Sequence, residues 1–448
     1  MDTENTTGGN IAMFITTFQA DVAPPIGSPL CGGLVKSALK IVDPLSARGI
    51  ILFTDEQPIV LCAVDWCGIC DESHDLWRDA IAEAAGTTRS RVTVHTLHPH
   101  DAPWTNRSLD NYLKKEGVVF REEVHSNDMH FENEVIERVA SAVRQSLVSR
   151  LPVSHLSVGK ASVEKFASNR LILGNDGKVE HWRGSSCGDE HIREMDEGLI
   201  DPFVRSIGFW NEDQPLVSLT WYASHPQSFY NRGAVSPDTV GLARGLREAT
   251  LPSVDHIHFC GAGGNVAAGK YNDGSPVNRF ELAGRLATGM EKAWDHAVKI
   301  PIHSADVEWK TKTVALPLAS HIAENGEAIK AVMNDEAVPV VERMLAAWQL
   351  GYKEMQTAGR KVSVSCLKLG SVYLLHLPGE MFVEYQLAAQ AMRPDEMVCL
   401  AAYGDLGIGY IGTKKAYEQG GYECSAGIAK VAPDVEEVLL DAMRELLD

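Results

Sequence analysis

The 448-residue sequence contains no run of about 18 or more apolar residues, which removes transmembrane helices from consideration. Its opening, MDTENTTGGN, lacks the basic block and apolar block of a secretory signal, so a cytoplasmic location is expected. Positive charge is scarce: 41 Lys and Arg stand against 60 Asp and Glu, a formal net charge of −19. That balance argues against nucleic acid and anionic membranes as partners and says nothing else about the substrate, since a local site can carry the opposite sign. Cys67-Gly-Ile-Cys70 has no second CxxC to pair with and reads as a strand end running into a helix cap. The nine cysteines, an odd number with several inside apolar strands, read as reduced and buried. The glycine-rich stretch Gly261–Lys270 satisfies neither GxxxxGK[ST] nor GxGxxG, because Lys270 is followed by Tyr271. Close backbone approach to a site is the better reading of it. Internal repeats, low-complexity tracts and long linkers are also missing.

What is present is an ordinary globular composition, 45% hydrophobic and 23% charged. Residues 1–14 read as a flexible tail and 15–448 as one large domain or two fused lobes. Gly49–Phe53 and Pro58–Asp65 read as a hairpin. Asp71–Ala85 follows as an amphipathic helix burying Trp77, Ile81 and Ala84 and capped by Gly86. Strand and helix patterns then alternate. Strands are expected at Arg91–Thr96, Ser154–Ala161, Leu216–Ser224, His256–Cys260, Val362–Leu369, Val372–Leu377 and Met397–Ala402. Helices are expected at Glu132–Val148, Thr239–Thr250, Arg279–Val298, Val338–Gln356 (with Pro339 in the first turn), Phe382–Met392 and Val435–Leu447. The mixture predicts an α/β fold, and the adjacent hairpins predict a mixed sheet flanked by helices. A homo-oligomer stays open for an acidic protein of this size.

Reactive side chains recur just past the carboxyl ends of apolar strands. His98 and His100 follow RVTVHT, and His225 follows LVSLTWYAS. Asn265 follows HIHFC, Glu380 follows VYLLHL and Pro378-Gly379, and Tyr410 follows MVCLAAY and a glycine-rich loop. Sites of open α/β sheets form where such ends converge. Two imidazoles, a carboxylate and a phenol suit Zn²⁺. Singly, each residue has a plainer reading. One histidine in a polar loop is a surface residue, and only the cluster His95, His98 and His100 puts metal binding on an equal footing. Glu380 could merely precede a helix, where the dipole favours a carboxylate. Tyr410 and Tyr422 could be packing residues. His256 and His258 share one strand face and read as structural.

Several segments, taken in order, resemble the catalytic domain of the neutral ceramidase family, zinc-dependent amidases. Ala20-Asp21-Val-Ala-Pro-Pro-Ile-Gly27 is similar to its N-terminal signature, and Leu97-His98-Pro-His100-Asp-Ala-Pro103 to its Thr-His-Thr-His-Ser-Gly-Pro motif. Asn169-Arg170, His225-Pro-Gln-Ser-Phe229, Ser236-Pro-Asp238-Thr-Val-Gly241-Leu-Ala243, Pro378-Gly379-Glu380, Tyr410-Ile-Gly-Thr413 and Tyr422-Glu423 match further family motifs in family order. The resemblance implies that His98, His225, Glu380 and Tyr410 hold zinc and that His100, Arg170 and Tyr422 face the substrate. Two departures carry weight. Ala267 stands where the family has a serine, which favours metal-activated water over a seryl nucleophile, and neither a C-terminal β-sandwich domain nor a secretion signal is expected. The expected activity is zinc-dependent hydrolysis of an amide-like C–N bond in a small soluble substrate. His100 would move the proton, and Arg170 and Tyr422 would steady the developing anion. Two alternatives stand beside it: a metal-dependent lyase or isomerase acting on a polar metabolite such as a sugar acid, and an inactive ceramidase-like scaffold.

Overall fold

Apolar runs such as GIILF and IVLCAV can lose solvent on both faces only inside a layered fold. They form neighbouring central strands, Ser46–Phe53 and Ile59–Val64, antiparallel with Ala47 opposite Val64. The structure, a computed structural model, describes residues 13–120 and 129–448. The first sheet runs Val92–Thr96, Ile59–Val64, Ser46–Phe53, Met13–Asp21, Leu151–Val153. A second runs Asp255–Cys260, Gln214–Tyr222, Phe203–Asn211, His155–Ser162, Val298–Pro301. A third runs Val307–Val314, Val362–Leu369, Val372–His376, Met397–Ala401.

No repeat is visible in the sequence, yet the backbone makes one connection three times. In each sheet a hairpin's second strand leads through a helix to a parallel neighbour. Ile59–Val64 reaches Val92–Thr96 through Asp71–Ala85. Gln214–Tyr222 reaches Asp255–Cys260 through Asp238–Thr250. Val372–His376 reaches Met397–Ala401 through Val383–Met392. A parallel pair needs such a crossover, and it sends both carboxyl ends to one edge. The three edges are knitted together: Ala402 N–H donates to Cys260 O at 3.0 Å, and Thr96 N–H to Tyr403 O at 2.9 Å. Buried charge ties the first sheet to the second crossover helix. Arg244 donates to both Asp65 oxygens at 2.9 and 2.7 Å, and Ser46 Oγ donates to Asp65 at 2.8 Å.

Helix Asp71–Ala85 spans the expected residues, buries Trp77, Ile81 and Ala84, and ends on Gly86 at φ +69°. The CxxC is a strand end, Gly68–Cys70, with Cys70 as the cap of that helix. Residues 1–12 of the expected tail lie outside the described residues, while Met13 and Phe14 begin a strand. Pro339 caps helix Val340–Thr357 and is not in its first turn. Strands Phe203–Asn211 and Val307–Val314 and helices Arg107–Glu116 and Gly326–Asn334 lie outside the expectations from the sequence. VEWKTKTV is an edge strand with little buried surface, and only Val307 and Trp309 give it a short apolar alternation before Lys and Thr take over. After Tyr410–Ile411 no further strand forms among the described residues, and the chain closes with helix Val435–Leu447.

Candidate metal centre

The joined strand edges carry His98, His225, Glu380 and Tyr410 to one place. His98 follows Val92–Thr96 and sits at φ +66°, a left-handed conformation that a non-glycine residue adopts at some cost. The bend directs its ring inward, where it is 2% exposed. His225 lies beyond Gln214–Tyr222 and is also buried. Glu380 opens the short strand Glu380–Met381, which pairs in parallel with Tyr410–Ile411, so Glu380 and Tyr410 stand side by side.

Both imidazoles are held by their Nδ1 atoms. His98 Nδ1 is 2.6 Å from Cys67 O, and His225 Nδ1 is 2.6 Å from Gly263 O. A carbonyl can only accept, so each Nδ1 carries the hydrogen, and a ring in its neutral form turns a bare Nε2 lone pair inward. The two lone pairs meet one carboxylate oxygen: Glu380 Oε2 is 3.0 Å from His225 Nε2 and 3.2 Å from His98 Nε2. Burial pushes His225 below its ordinary pKa, although Glu380 opposes this. With both rings in their neutral form, two imidazoles and a carboxylate are three acceptors without a donor, a set that a cation satisfies. Carbonyl support at the far ring nitrogen is the usual way a protein fixes the tautomer of a metal-ligating histidine.

The glycine-rich stretch is the second wall. A Cβ on Gly264 would lie 2.3 Å from Glu380 O, and one on Gly263 would lie 3.0 Å from Ser224 and from the Tyr403 hydroxyl. The close approach that these glycines permit brings the Gly263 carbonyl to His225. Asn265 braces the same region, with Nδ2 donating to Glu384 at 2.9 Å and Oδ1 accepting from Val383 N at 2.9 Å. Ala267 is buried opposite Ser168 in a two-residue ladder and is not among the residues that line the cavity.

Around the cluster lies a cavity of about 290 Å³, lined by His98, His100, Arg170, Glu380, Tyr410 and Tyr422 and walled by Trp104, Trp182 and Trp348. Tyr410 is beside His225, ring centroids 6.2 Å apart, and its hydroxyl accepts from Arg170 Nη1 at 3.2 Å. Burial raises the Tyr410 hydroxyl well above its ordinary pKa, and Arg170 opposes that rise. Burial would lower Arg170, but Tyr410 and Glu423 hold it above its ordinary value. Arg170 Nε is 3.2 Å from Glu423, and its guanidinium lies 4.7 Å over the Trp182 ring. His100 stacks edge-on to His98 at 4.8 Å, and its Nδ1 is buried with no hydrogen-bond partner. Burial, then His98 and His225, push its pKa well below 6.5. Tyr422 is half-exposed, 6.2 Å from the Tyr410 ring.

Tyr403 and Lys430 join the site without an expectation from the sequence, as do the three tryptophan walls. Tyr403, at φ +58°, stacks on His98 at 4.8 Å with its buried hydroxyl unpartnered. It closes an apolar run and carries no sequence signal apart from its place at a strand end. Lys430 lines the cavity, and its Nζ donates to Gly407 O at 2.7 Å. His258 is structural, as expected, with Nδ1 2.9 Å from Thr220 Oγ1.

No protein-family model matches the chain, and no curated protein matches it. Solved structures do, among them two ceramidases. Neutral ceramidase from Pseudomonas aeruginosa matches with a TM-score of 0.70 at 15% identity, over 98% of this chain and 74% of that one. A ceramidase complexed with C2 matches with a TM-score of 0.70 at 15% identity, over 98% of this chain and 75% of that one. At such identity the likeness is one of fold: this chain has a ceramidase-like mixed α/β fold.

Proposed function

We propose that this chain is a zinc-dependent hydrolase that cleaves an amide-like C–N bond in a small soluble substrate. The observation that carries the proposal is the pair of Nδ1-pinned histidines whose Nε2 atoms meet Glu380. His98, His225 and Glu380 would hold the ion, with Tyr410 beside them as the fourth ligand. Nitrogen and oxygen donors in this ratio suit zinc. Zinc bound there would lower the pKa of water from about 16 to near 7 and polarise an acyl oxygen.

The chain's own groups do the rest. His100, kept neutral by its burial, accepts the proton released as the water oxygen bonds to the acyl carbon. It passes that proton to the departing nitrogen as the C–N bond breaks. Arg170 stays charged and orients the Tyr410 hydroxyl while presenting positive charge to a developing oxyanion. Tyr422 borders the same space. The cavity, about 290 Å³, is at the low end of the roughly 300–1,000 Å³ usual for small-molecule sites. Its indole walls and the Arg170 and Lys430 cations favour a compact substrate with an apolar part and an anionic or carbonyl group.

The test is hydrolysis of a panel of short N-acyl compounds by chelator-treated and zinc-reconstituted protein, with product mass recorded. The expected result is zinc-dependent release of an acid and an amine with the gain of one water. Turnover without a change in mass would instead indicate an isomerase. Full activity in His98→Ala and His225→Ala would sink the assignment.

A further inference from the structure

Beside the Glu380 cluster lies a second group of donors that the proposed reaction does not use as ligands. Cys67 Sγ is 3.5 Å from Cys31 Sγ, and with a His100 ring nitrogen these donors lie within 4.8 Å of one another. Two bonds of about 2.3 Å at a tetrahedral zinc place their sulfurs about 3.8 Å apart, so the observed separation is already close to one edge of such a tetrahedron. It is far beyond the roughly 2.05 Å of a disulfide. Cys67 is fully buried and Cys31 is 3% exposed. Cys31 is held at φ +47°, a left-handed conformation uncommon for cysteine. His100 Nδ1 has no hydrogen-bond partner. Cys31 and His100 both line the cavity, so an ion can reach them from solvent.

We infer that Cys31, Cys67 and His100 form a second cation site, selective for a soft divalent ion such as zinc, with its fourth position open to the cavity. Its donor chemistry differs from that of the Glu380 cluster, where no sulfur takes part. The His98 ring stands between the two groups: its Nε2 faces Glu380 at 3.2 Å, and its Nδ1 is 3.8 Å from Cys67 Sγ. Occupancy of the second site withdraws the His100 lone pair. Excess zinc therefore inhibits hydrolysis, a consequence that rests on the proton-transfer role proposed above for His100.

Cobalt(II) separates the two sites because only thiolate ligands give an intense near-ultraviolet charge-transfer band. Chelator-treated, fully reduced protein is titrated with cobalt and the bound metal is counted. Wild type should bind two ions per chain and develop the thiolate band. Cys31→Ser and Cys67→Ser should each bind one ion and lose the band, while His98→Ala should keep the band with one ion. A wild type with one ion and no band, or a band that survives both cysteine substitutions, overturns the site. So does a Cys31–Cys67 disulfide that persists in the reduced protein. With zinc, hydrolysis of the active N-acyl compound should fall at least tenfold as the second equivalent binds, and Cys31→Ser should escape that fall. A band without loss of rate overturns the inhibition and leaves the site standing. Loss of both ions in His98→Ala overturns the independence of the two sites.

Discussion

Replacing Glu380 with glutamine separates the two ways in which the buried cluster can be satisfied. The Glu380 carboxylate, 5% exposed, faces the Nε2 atoms of His225 at 3.0 Å and His98 at 3.2 Å, which are lone pairs when the rings are neutral and metal is absent. A carboxamide of the same shape brings two N–H donors to those lone pairs. A buried polar group without a partner costs about 1–3 kcal/mol, and more if charged. Metal-free Glu380→Gln should therefore be more stable than the metal-free parent by about 2 kcal/mol. Unfolding entropy near 2.1 cal/mol/K per residue, over 448 residues, is about 0.9 kcal/mol/K, so the gain amounts to a Tm rise of about 2 °C. Zinc at about 1,000 times its Kd adds roughly 4 kcal/mol to a chain that binds it, about 4 °C here. The variant lacks the charged ligand and should gain less than about 1 °C. Calorimetry at pH 8 with and without zinc measures both differences, with Cys31→Ser present in both chains to remove sulfur ligation. A metal-free variant that melts below its parent, together with an undiminished zinc shift, would refute the reasoning.

His100→Gln should retain the metal of the Glu380 cluster while kcat falls by roughly 10²–10⁴, checked by metal content and steady-state rates. Retained kcat would remove His100 from proton transfer. Because burial lowers His225 below 6.5, protons compete weakly for this ligand. Metal should stay bound as pH falls past 6.5 and leave only as the lowered His225 pKa is crossed. Metal content after dialysis across a pH series checks this, and loss centred at or above the ordinary histidine value would count against it. Arg244→Ala leaves Asp65 charged and buried without its partner. Breaking such a pair costs about 3–5 kcal/mol, read as a Tm drop of about 3–5 °C in a chain of this length.

The sequence pattern singles out residues that the fold brings together because they sit at strand ends, where apolar runs stop abruptly. RVTVHT and LVSLTWYAS are nearly continuous buried strands, so the polar residue after each stands out. The reading of Gly261–Lys270 as a close backbone approach matches the crowding at Gly263 and Gly264. Tyr403 escaped notice because a tyrosine that ends an apolar run looks like core, and its left-handed backbone leaves no mark in the sequence. Lys430 lies in a late loop whose path into the cavity is fixed only by tertiary packing. The same limit hid the three-sheet arrangement. Each crossover is readable locally, but the Ala402–Cys260 and Thr96–Tyr403 hydrogen bonds that join the edges span long stretches of chain. Cys31 was read as an ordinary buried thiol because nothing near it in sequence places it beside Cys67.

The central claim is that a cation belongs where His98, His225 and Glu380 converge. Anomalous diffraction at the zinc edge, from crystals of protein purified without added metal and then given one equivalent of zinc, tests it most directly. The account predicts a strong peak within bonding distance, about 2.0–2.2 Å, of both Nε2 atoms and a Glu380 oxygen, and no such peak in His225→Ala. Zinc found elsewhere, with the three side chains still in direct contact in an active protein, would contradict it.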